Sequence, residues 1–535
     1  MALEPQIKEI EIKTNKKLES VKTTVQVQLN TNGEKIDKVL FAKSLANIEK
    51  VVVSHNNIQI DGIVNSYSLV RVDGGEIVEL RKQTNFSCNQ VCANVEDGAK
   101  VLVIPNVLGA ENLNAQEITL SFSQEICLAI FVCEKQKIQY VEEINHANQK
   151  IGTIKYQNIN GFSTENFEIT TEIDLPSSIS KILTCECETN IKDSVCSKDI
   201  LTVNGDVQTN LIYLTNDDVP KVKNQTYSSE FHQEILLNGV DEQDVATVML
   251  NTAESNYDVD GEMSGKGVLE IKNKINACVV TRRPYEIKCM FDAFCPRKEL
   301  NMEYSSFQTE NVVLNKNFND KVDGNFVLDG DNQIDRIIFC TKGEAKVLGV
   351  QKSQDDIVVK GEVGVFVVYA LDDEQNTLQS VNIMVPFECK CGCDVDVCAD
   401  KIFASVKIKD IDARNKRAKE IDVLTELNIC VIALNKCDEV VVCGISVGED
   451  RKQDLCSMGI YVIDKATDCW EVAKKLLVNP DVLMSQNKDL TFPIEKPTQI
   501  IVYRQRVINN WFCKKFILKN TKKFNFLVFF YLFYV

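Results

Sequence analysis

Hydrophobic and polar residues alternate along long stretches of this chain. Leu201, Val203, Val207, Leu211 and Tyr213 share one side of such a stretch, with polar residues between them. The same spacing recurs later, at Ile357, Val359, Val363, Val365, Val367 and Tyr369. A period of two indicates a strand with one face in a hydrophobic core. Because convincing helical patterns are few, the sequence predicts a mainly β protein with sandwich-like or barrel-like domains.

One pattern of residues occurs three times. Each occurrence opens with "IDKVL", "ISKIL" or "IDRII" and reaches a glycine 26 or 27 positions after the first isoleucine, over residues 36–62, 179–205 and 334–361. The period is too long for a solenoid unit, so the repeats predict three tandem copies of a whole all-β domain. A glycine in mid-strand predicts a bulge or a close backbone approach. A phenylalanine follows each glycine by 24 or 26 positions, at Phe86, Phe231 and Phe387.

The repeats, and a change in the pattern of hydrophobic and polar residues near residue 446, predict six segments. These are β repeats at 1–152, 153–300 and 301–445, a linker at 446–458, a small domain at 459–505 and a basic, aromatic tail at 506–535. The tail ends in twelve mostly aromatic and aliphatic residues, whereas a bilayer span needs about 20. We therefore favour a read-through or frameshifted end over a membrane anchor, and membrane contact is not expected.

The stretch "PFECKCGCDVDVCAD" places Cys389, Cys391, Cys393 and Cys398 close together. Four neighbouring thiols are candidate zinc ligands, but tetrahedral sites favour Cys-x2-Cys turns. In a strand, the first three would point to one face about 6.5–7 Å apart. The favoured interpretation is that they pack as small hydrophobic residues, with no metal or other cofactor. Later oxidative cross-linking in an exposed shell is a third alternative.

The composition argues against nucleic-acid binding and against several kinds of catalysis. A net charge of −17 makes nucleic acid a poor partner, because acidic surfaces repel phosphates. With 21 cysteines, three histidines and no apolar N-terminal leader, we expect reduced thiols and no histidine-based catalysis. Acidic pairs such as Asp355-Asp356 and Asp372-Asp373 are expected in solvated turns rather than in a hydrolase cleft. No enzyme activity is expected.

Residues 460–504 predict the order strand, helix, helix, strand. Asp468 can cap the first helix, with Glu471 three positions later as in a capping box. Asn479 can cap the second helix, with Pro480 in its first turn. A closing strand follows in "PTQIIVYR".

This order of elements resembles a LysM domain. The matching parts are Tyr461-Val462, the Trp470 helix, the segment from Leu483 to Asn487 and the strand from Ile500 to Tyr503. The resemblance implies binding of N-acetylglucosamine polymers in a groove between two loops. The groove residues it implies are Ala466, Thr467, Asp468, Trp470, Asn487 and Leu490. Where the family commonly has Gly-Asp-Thr-Leu, this chain has Ala466 to Cys469, so the sugar-binding loop is altered.

Three β repeats before one LysM-like domain resemble the SipL-like spore-envelope proteins of clostridia, which carry SPOCS domains. The repeat entries and the strands "GDVQTNLIYL" and "GEVGVFVVYA" carry this resemblance. It implies a spore-coat morphogenetic protein whose LysM domain docks on the sporulation ATPase of the coat basement layer. Other coat proteins would also be partners. Its place would be the mother-cell cytoplasm at the forespore surface, then the spore coat. The alternative is a cell-wall protein that binds peptidoglycan.

Overall fold

The computed structural model describes residues 3–504, except 19, 94, 177, 219, 261–266, 374–376, 395–396, 398–400 and 452–457. Strands hold 79% of the residues, whereas ordinary domains have about 20–25%. The prediction of a mainly β protein is therefore confirmed. The tail at 506–535 and Cys398 lie outside the described residues.

Strands β1 to β7 form two sheets that pack on a common core. One sheet is β3-β4-β5, and in the other β7 pairs with β1, β2 and β6. The strands are β1 (Pro5–Lys17), β2 (Val21–Asn30), β3 (Ile36–Ser54), β4 (Asn57–Val72), β5 (Ile77–Val91), β6 (Val101–Gln116) and β7 (Thr119–Ile144). The core takes buried residues from both sheets, among them Ile60 of β4 and Phe122 of β7. We call this the first sheet pair.

A second sheet pair follows the same plan, with β9-β10-β11 packed against β8, β13 and β12. Its strands are β8 (Asn148–Asp174), β9 (Ile179–Ser197), β10 (Ile200–Thr215), β11 (Val222–Leu236), β12 (Val245–Asp260) and β13 (Val268–Phe294). Within the pair, β13 lies between β12 and β8. β8 runs across residues 152–153, where the sequence predicts a boundary.

The third sheet pair packs β15-β16-β17 against β14, β19 and β18. Its strands are β14 (Lys298–Val327), β15 (Ile334–Ser353), β16 (Asp356–Leu371), β17 (Leu378–Gly392), β18 (Ile402–Arg417) and β19 (Glu420–Asp450). β14 runs across residues 300–301, and β19 continues past residue 445 to Asp450. A single residue pair, Glu310 with Gln157, joins β14 to β8.

The mid-strand glycines meet both expectations from the sequence. Added Cβ atoms at Gly205 and Gly361 would lie 2.1 Å and 2.2 Å from carbonyl oxygens of the neighbouring strand. The neighbouring ladder also shifts register at these points. On the other side, Phe231 pairs with Gly205 and Phe387 with Gly361, so each ring covers its glycine. Gly62 and Phe86 form the same pair in β4 and β5.

The three sheet pairs contact one another in a closed ring. β5 meets β9 where Glu79 accepts a hydrogen bond from Thr184, at 2.5 Å. β11 meets β15 where Asn224 donates to the carbonyl of Cys340, at 2.8 Å. β17 meets β3 where the hydroxyl of Ser380 donates to a β3 carbonyl, at 3.1 Å. A cluster of buried residues from all three sheet pairs lies at the centre: Leu40, Phe41, Leu69, Ile77, Leu183, Ile212, Phe339 and Val368.

The C-terminal module comprises residues 458–503. Its elements are β20 (Met458–Ile463), α1 (Cys469–Leu476), α2 (Pro480–Gln486) and β21 (Thr498–Tyr503). β20 and β21 pair antiparallel, and this pair is separate from the larger sheets. The helices cover one face of the two-stranded sheet, where Ala473, Leu483, Ile500 and Val502 are buried. The order of elements is the one predicted from the sequence.

Candidate partner-binding module

The caps of the two helices fix the loops of the C-terminal module. The Asp468 carboxylate accepts a hydrogen bond from the Glu471 N–H at 3.0 Å and begins α1. The Glu471 carboxylate accepts in return from the N–H of Thr467, one residue before the cap, at 2.7 Å. The Asn479 side chain accepts from the Asp481 N–H at 2.9 Å and begins α2. Both predicted capping residues are confirmed.

The residues predicted to line a groove have different roles. Ala466 and Ile494 exchange two backbone hydrogen bonds, at 3.1 Å and 2.8 Å, so the loop before α1 and the loop before β21 are tied together. The Asn487 side chain accepts from the Ile501 N–H at 2.9 Å and joins the end of α2 to β21. Leu490 packs against the core of the module. Thr467 is the one residue of this set that is exposed.

Trp470 faces the rest of the chain. Its indole Nε1–H donates to the Asp292 carboxylate at 2.7 Å. Its ring packs edge-on against Phe294, with centroids 5.1 Å apart. Lys474, one turn further along α1, forms an ion pair with the same Asp292 at 2.7 Å. The end of β13 therefore holds the α1 face on which the resemblance places a groove residue.

Two further contacts hold the module at the start of β8. Lys150 pairs with the Asp468 carboxylate at 2.8 Å, and Asn479 donates to Asn148 at 2.8 Å. The ion pair with Lys150 and the hydrogen bond from Glu471 hold the pKa of Asp468 below its usual value. Asp468 and Trp470 thus already have partners within the chain. A macromolecule that hydrogen-bonds to the Trp470 indole would have to displace Asp292, whereas the Asp468 side chain is still 41% exposed.

The other face of the two-stranded sheet is apolar and exposed. Ile460 is 62% exposed and Val462 is 58% exposed. They alternate with the inward-facing residues of β20, and Tyr503 at the end of β21 is exposed beside them. Neighbouring apolar side chains on an exposed face are a common mark of an interaction site. We call Ile460, Val462 and Tyr503 the outer face of the module.

The three cysteines at the end of β17 and just after it are core residues. Cys389, Cys391 and Cys393 are buried and pack with the third sheet pair. Burial raises the pKa of Cys391, and burial with a hydrogen bond to Asp320 raises the pKa of Cys389 to about 12. Such thiols keep their protons at neutral pH and pack as small hydrophobic side chains. In the part of the chain that the structure describes, no three His, Cys, Asp or Glu residues are placed to hold a metal.

The outer face and the residues that hold the module were not predicted from the sequence. The outer face has a signal, because "MGIYVI" alternates two apolar sets and a two-stranded sheet can bury only one. Asp292 and Lys150 have no local signal, since they lie in other strands far from α1 in sequence. Neither helix in the described ranges is long and apolar enough to cross a membrane.

Residues 178–260 match the family model described as SipL, SPOCS domain. The matched segment runs from just before β9 to the end of β12 and contains Gly205 and Phe231. No curated protein matches the chain. The match supports a SipL-like, sporulation-related protein that carries a SPOCS domain in its second sheet pair.

Proposed function

We propose that the chain is a non-catalytic scaffold of the spore envelope, built from three SPOCS-like domains and a C-terminal LysM-like adaptor. It acts at the forespore surface in the mother-cell cytoplasm and then remains in the spore coat. The adaptor docks on the sporulation ATPase of the coat basement layer, and the sheet pairs recruit other coat proteins. The observation that carries this proposal is the SPOCS match over residues 178–260.

The extension to three SPOCS-like domains is supported by shared backbone features. The glycine and phenylalanine inside the matched segment, Gly205 and Phe231, have counterparts at the same ladder positions in the other two sheet pairs. All three glycines approach a carbonyl oxygen so closely that no side chain fits. The domains would meet between β7 and β8 and between β13 and β14.

The outer face is the docking surface that the contacts favour. Trp470 and Asp468 are engaged by Asp292 and Lys150, whereas Ile460 and Val462 are exposed. Neighbouring exposed apolar side chains, with an aromatic residue beside them, are a common mark of a protein interaction surface. The altered loop at Ala466 to Cys469 also fits an adaptor for protein better than one for sugar.

The test measures binding of the purified full chain to the sporulation ATPase. The double variant Ile460→Lys, Val462→Lys should bind at least about tenfold more weakly, because two charges would enter an apolar interface. Val195→Lys is the matched control, since Val195 is a strand valine with the same 58% exposure far from the module. It should bind like the wild type.

Two other outcomes redirect the proposal. Full affinity in the folded double variant, with loss in Thr467→Lys, would move the docking surface to the groove loops. Saturable binding to purified peptidoglycan, with none to the ATPase, would reject the adaptor in favour of the cell-wall alternative. Circular dichroism of each variant checks that it is folded.

A further inference from the structure

A cavity of about 730 Å³ lies where the three sheet pairs meet. Residues from β3, β9 and β15 line it together with residues from β6, β12 and β18. Pockets of about 300–1,000 Å³ are the usual size for small-molecule sites. The cavity is remote from the C-terminal module, so what it does is independent of how that module docks.

A hydrogen-bonded triad, of which Lys43 and Glu186 line the cavity, lies next to the central hydrophobic cluster. The Lys43 ammonium donates to Glu186 at 2.7 Å and to the Thr341 hydroxyl at 3.0 Å. Thr341 also donates to Glu186. Beyond the triad, Lys342 pairs with Glu188 at 2.9 Å. These two lysines therefore have their counter-charges inside the protein.

Lys407 is different. Its ammonium donates to the carbonyl oxygens of Thr189 at 2.6 Å and of Leu250 at 3.2 Å. Within the described ranges, no carboxylate lies within ion-pair distance of it. Burial lowers the pKa of Lys407, and the more distant Glu188 carboxylate, which is paired with Lys342, offsets this only in part. An anionic group in the cavity would stabilise this ammonium.

Two side-chain oxygens in the wall also lack partners. Asn210 is 8% exposed, and its Oδ1 accepts no hydrogen bond. Asn190 has the same unsatisfied atom, and both residues line the cavity. A buried polar atom without a partner costs about 1–3 kcal/mol. Both oxygens could accept from a hydroxyl or N–H group of a bound molecule.

The unsatisfied groups are spread along the cavity. Lys407 contacts Thr189, whereas Asn210 pairs across the ladder with Glu186, three residues earlier on β9. At about 3.3 Å per residue, the two points are about 10 Å apart. Apolar residues lie in the wall as well, among them Phe366 and Phe403. The cavity therefore suits an elongated molecule with two polar ends.

We propose that this cavity binds an elongated amphipathic carboxylic acid with a hydroxyl group at its far end. The carboxylate pairs with Lys407, the apolar chain lies against Phe366 and Phe403, and the hydroxyl donates to Asn210. Asn190 accepts from any further donor near the carboxylate end. The ligand supplies the counter-charge and the donor that the protein itself lacks.

The test uses 10-hydroxydecanoate as the probe, with calorimetry on the full chain. Decanoate lacks the hydroxyl, and 1,10-decanediol lacks the carboxylate. We expect saturable binding of the hydroxy acid, about fivefold weaker binding of decanoate and about tenfold or weaker binding of the diol. These ratios follow from one neutral and one charge-assisted hydrogen bond.

Two variants connect the binding to named atoms. Lys407→Met should weaken the hydroxy acid about tenfold or more and leave the diol unchanged. Asn210→Leu should remove the preference for the hydroxy acid over decanoate. Lys137 is an exposed lysine of β7 that does not line the cavity. Lys137→Met is therefore the matched control for Lys407→Met and should bind like the wild type.

Three results would overturn the proposal. The first is a calorimetric titration in which no probe shows saturable binding, which would mean that the cavity holds only water. The second is equal affinity for acid and diol. The third is unchanged affinity in folded Lys407→Met, with thermal melting used to confirm that this variant folds.

Discussion

β11 and β17 occupy corresponding places in the second and third sheet pairs, yet they fill the core with different chemistry. Each strand pairs a phenylalanine with the mid-strand glycine of its neighbour. Four residues after the phenylalanine, β11 has Ile235 and β17 has Cys391, and both are buried. Two residues further on, Leu237 follows β11 and Cys393 follows β17. The backbone N–H of each donates to the backbone carbonyl of an aspartate in a neighbouring turn.

This difference shows what the cysteines of β17 do. A position that holds isoleucine in one sheet pair and cysteine in another is a buried core position. Free cysteine packs as a small hydrophobic residue. The glycine–phenylalanine pair occupies the same ladder position in both sheet pairs, whereas the buried residues after it differ.

The largest predicted effect tests the shared backbone. Gly205→Val and Gly361→Val each place a Cβ about 2 Å from a carbonyl oxygen. We expect each to cost more than about 4 kcal/mol, which is exceptional for one substitution. Denaturant unfolding of the full chain measures the loss.

Gly392→Val is the control for this pair, because nothing lies within 4 Å of its Cβ position. It should change stability by about 0.5 kcal/mol or less. If Gly205→Val were damaging and Gly361→Val tolerated, the two strands would not share one constraint, and the comparison would fail.

A smaller effect tests the difference between the strands. Ile235→Ala should cost about 2–5 kcal/mol, because it empties a buried site. Cys391→Ala removes only a sulfur and should cost about 1 kcal/mol, near the value of one methylene group. Unfolding curves of the two variants give both numbers.

The result that contradicts this interpretation involves metal. If chelator treatment destabilised the wild type, and Cys391→Ala cost as much as Ile235→Ala, the β17 thiols would be ligands. The Ile235→Ala variant should retain any chelator effect, so it serves as the matched reference.

The last effect, a decline of stability, is absent near neutral pH and appears only as pH rises. The pKa of Cys389 is raised to about 12 by burial and by Asp320, whereas the unfolded thiol titrates near 9.0. The folded state therefore keeps a proton that the unfolded state loses. This contribution is fully present below about pH 9 and is lost as pH rises towards 12.

Cys389→Ala should make the decline of stability between about pH 8 and about pH 11 less steep. β11 has Gln233 at the corresponding position, so Gln233→Ala should leave the slope unchanged. Equal slopes for the wild type and Cys389→Ala would remove the proposed titration.

Local features were predictable from the sequence. Alternation predicted the strands, the mid-strand glycines predicted the bulges and close approaches, and the residues before each C-terminal helix predicted the caps. Each of these depends on residues that are near in sequence or that recur in register. The burial of the β17 cysteines followed from the same reasoning.

Contacts between distant strands were not predictable. Trp470 lies 178 positions from Asp292, and no pattern connects them. Lys407 occupies a polar position in an alternating strand, where a lysine is expected in solvent. The structure instead half-buries it, because another sheet pair covers that face of β18. The cavity depends on such long-range packing, and so does the place where the C-terminal module packs against the sheet pairs.

The contact between β17 and β3 has a consequence for how the molecule comes apart. In a linear array of units, the first and last have one neighbour each and can open separately. Here the third sheet pair contacts the first, so each has two neighbours and a share of the same central cluster. Opening any one pair therefore breaks two interfaces, and the three should unfold together in one cooperative transition.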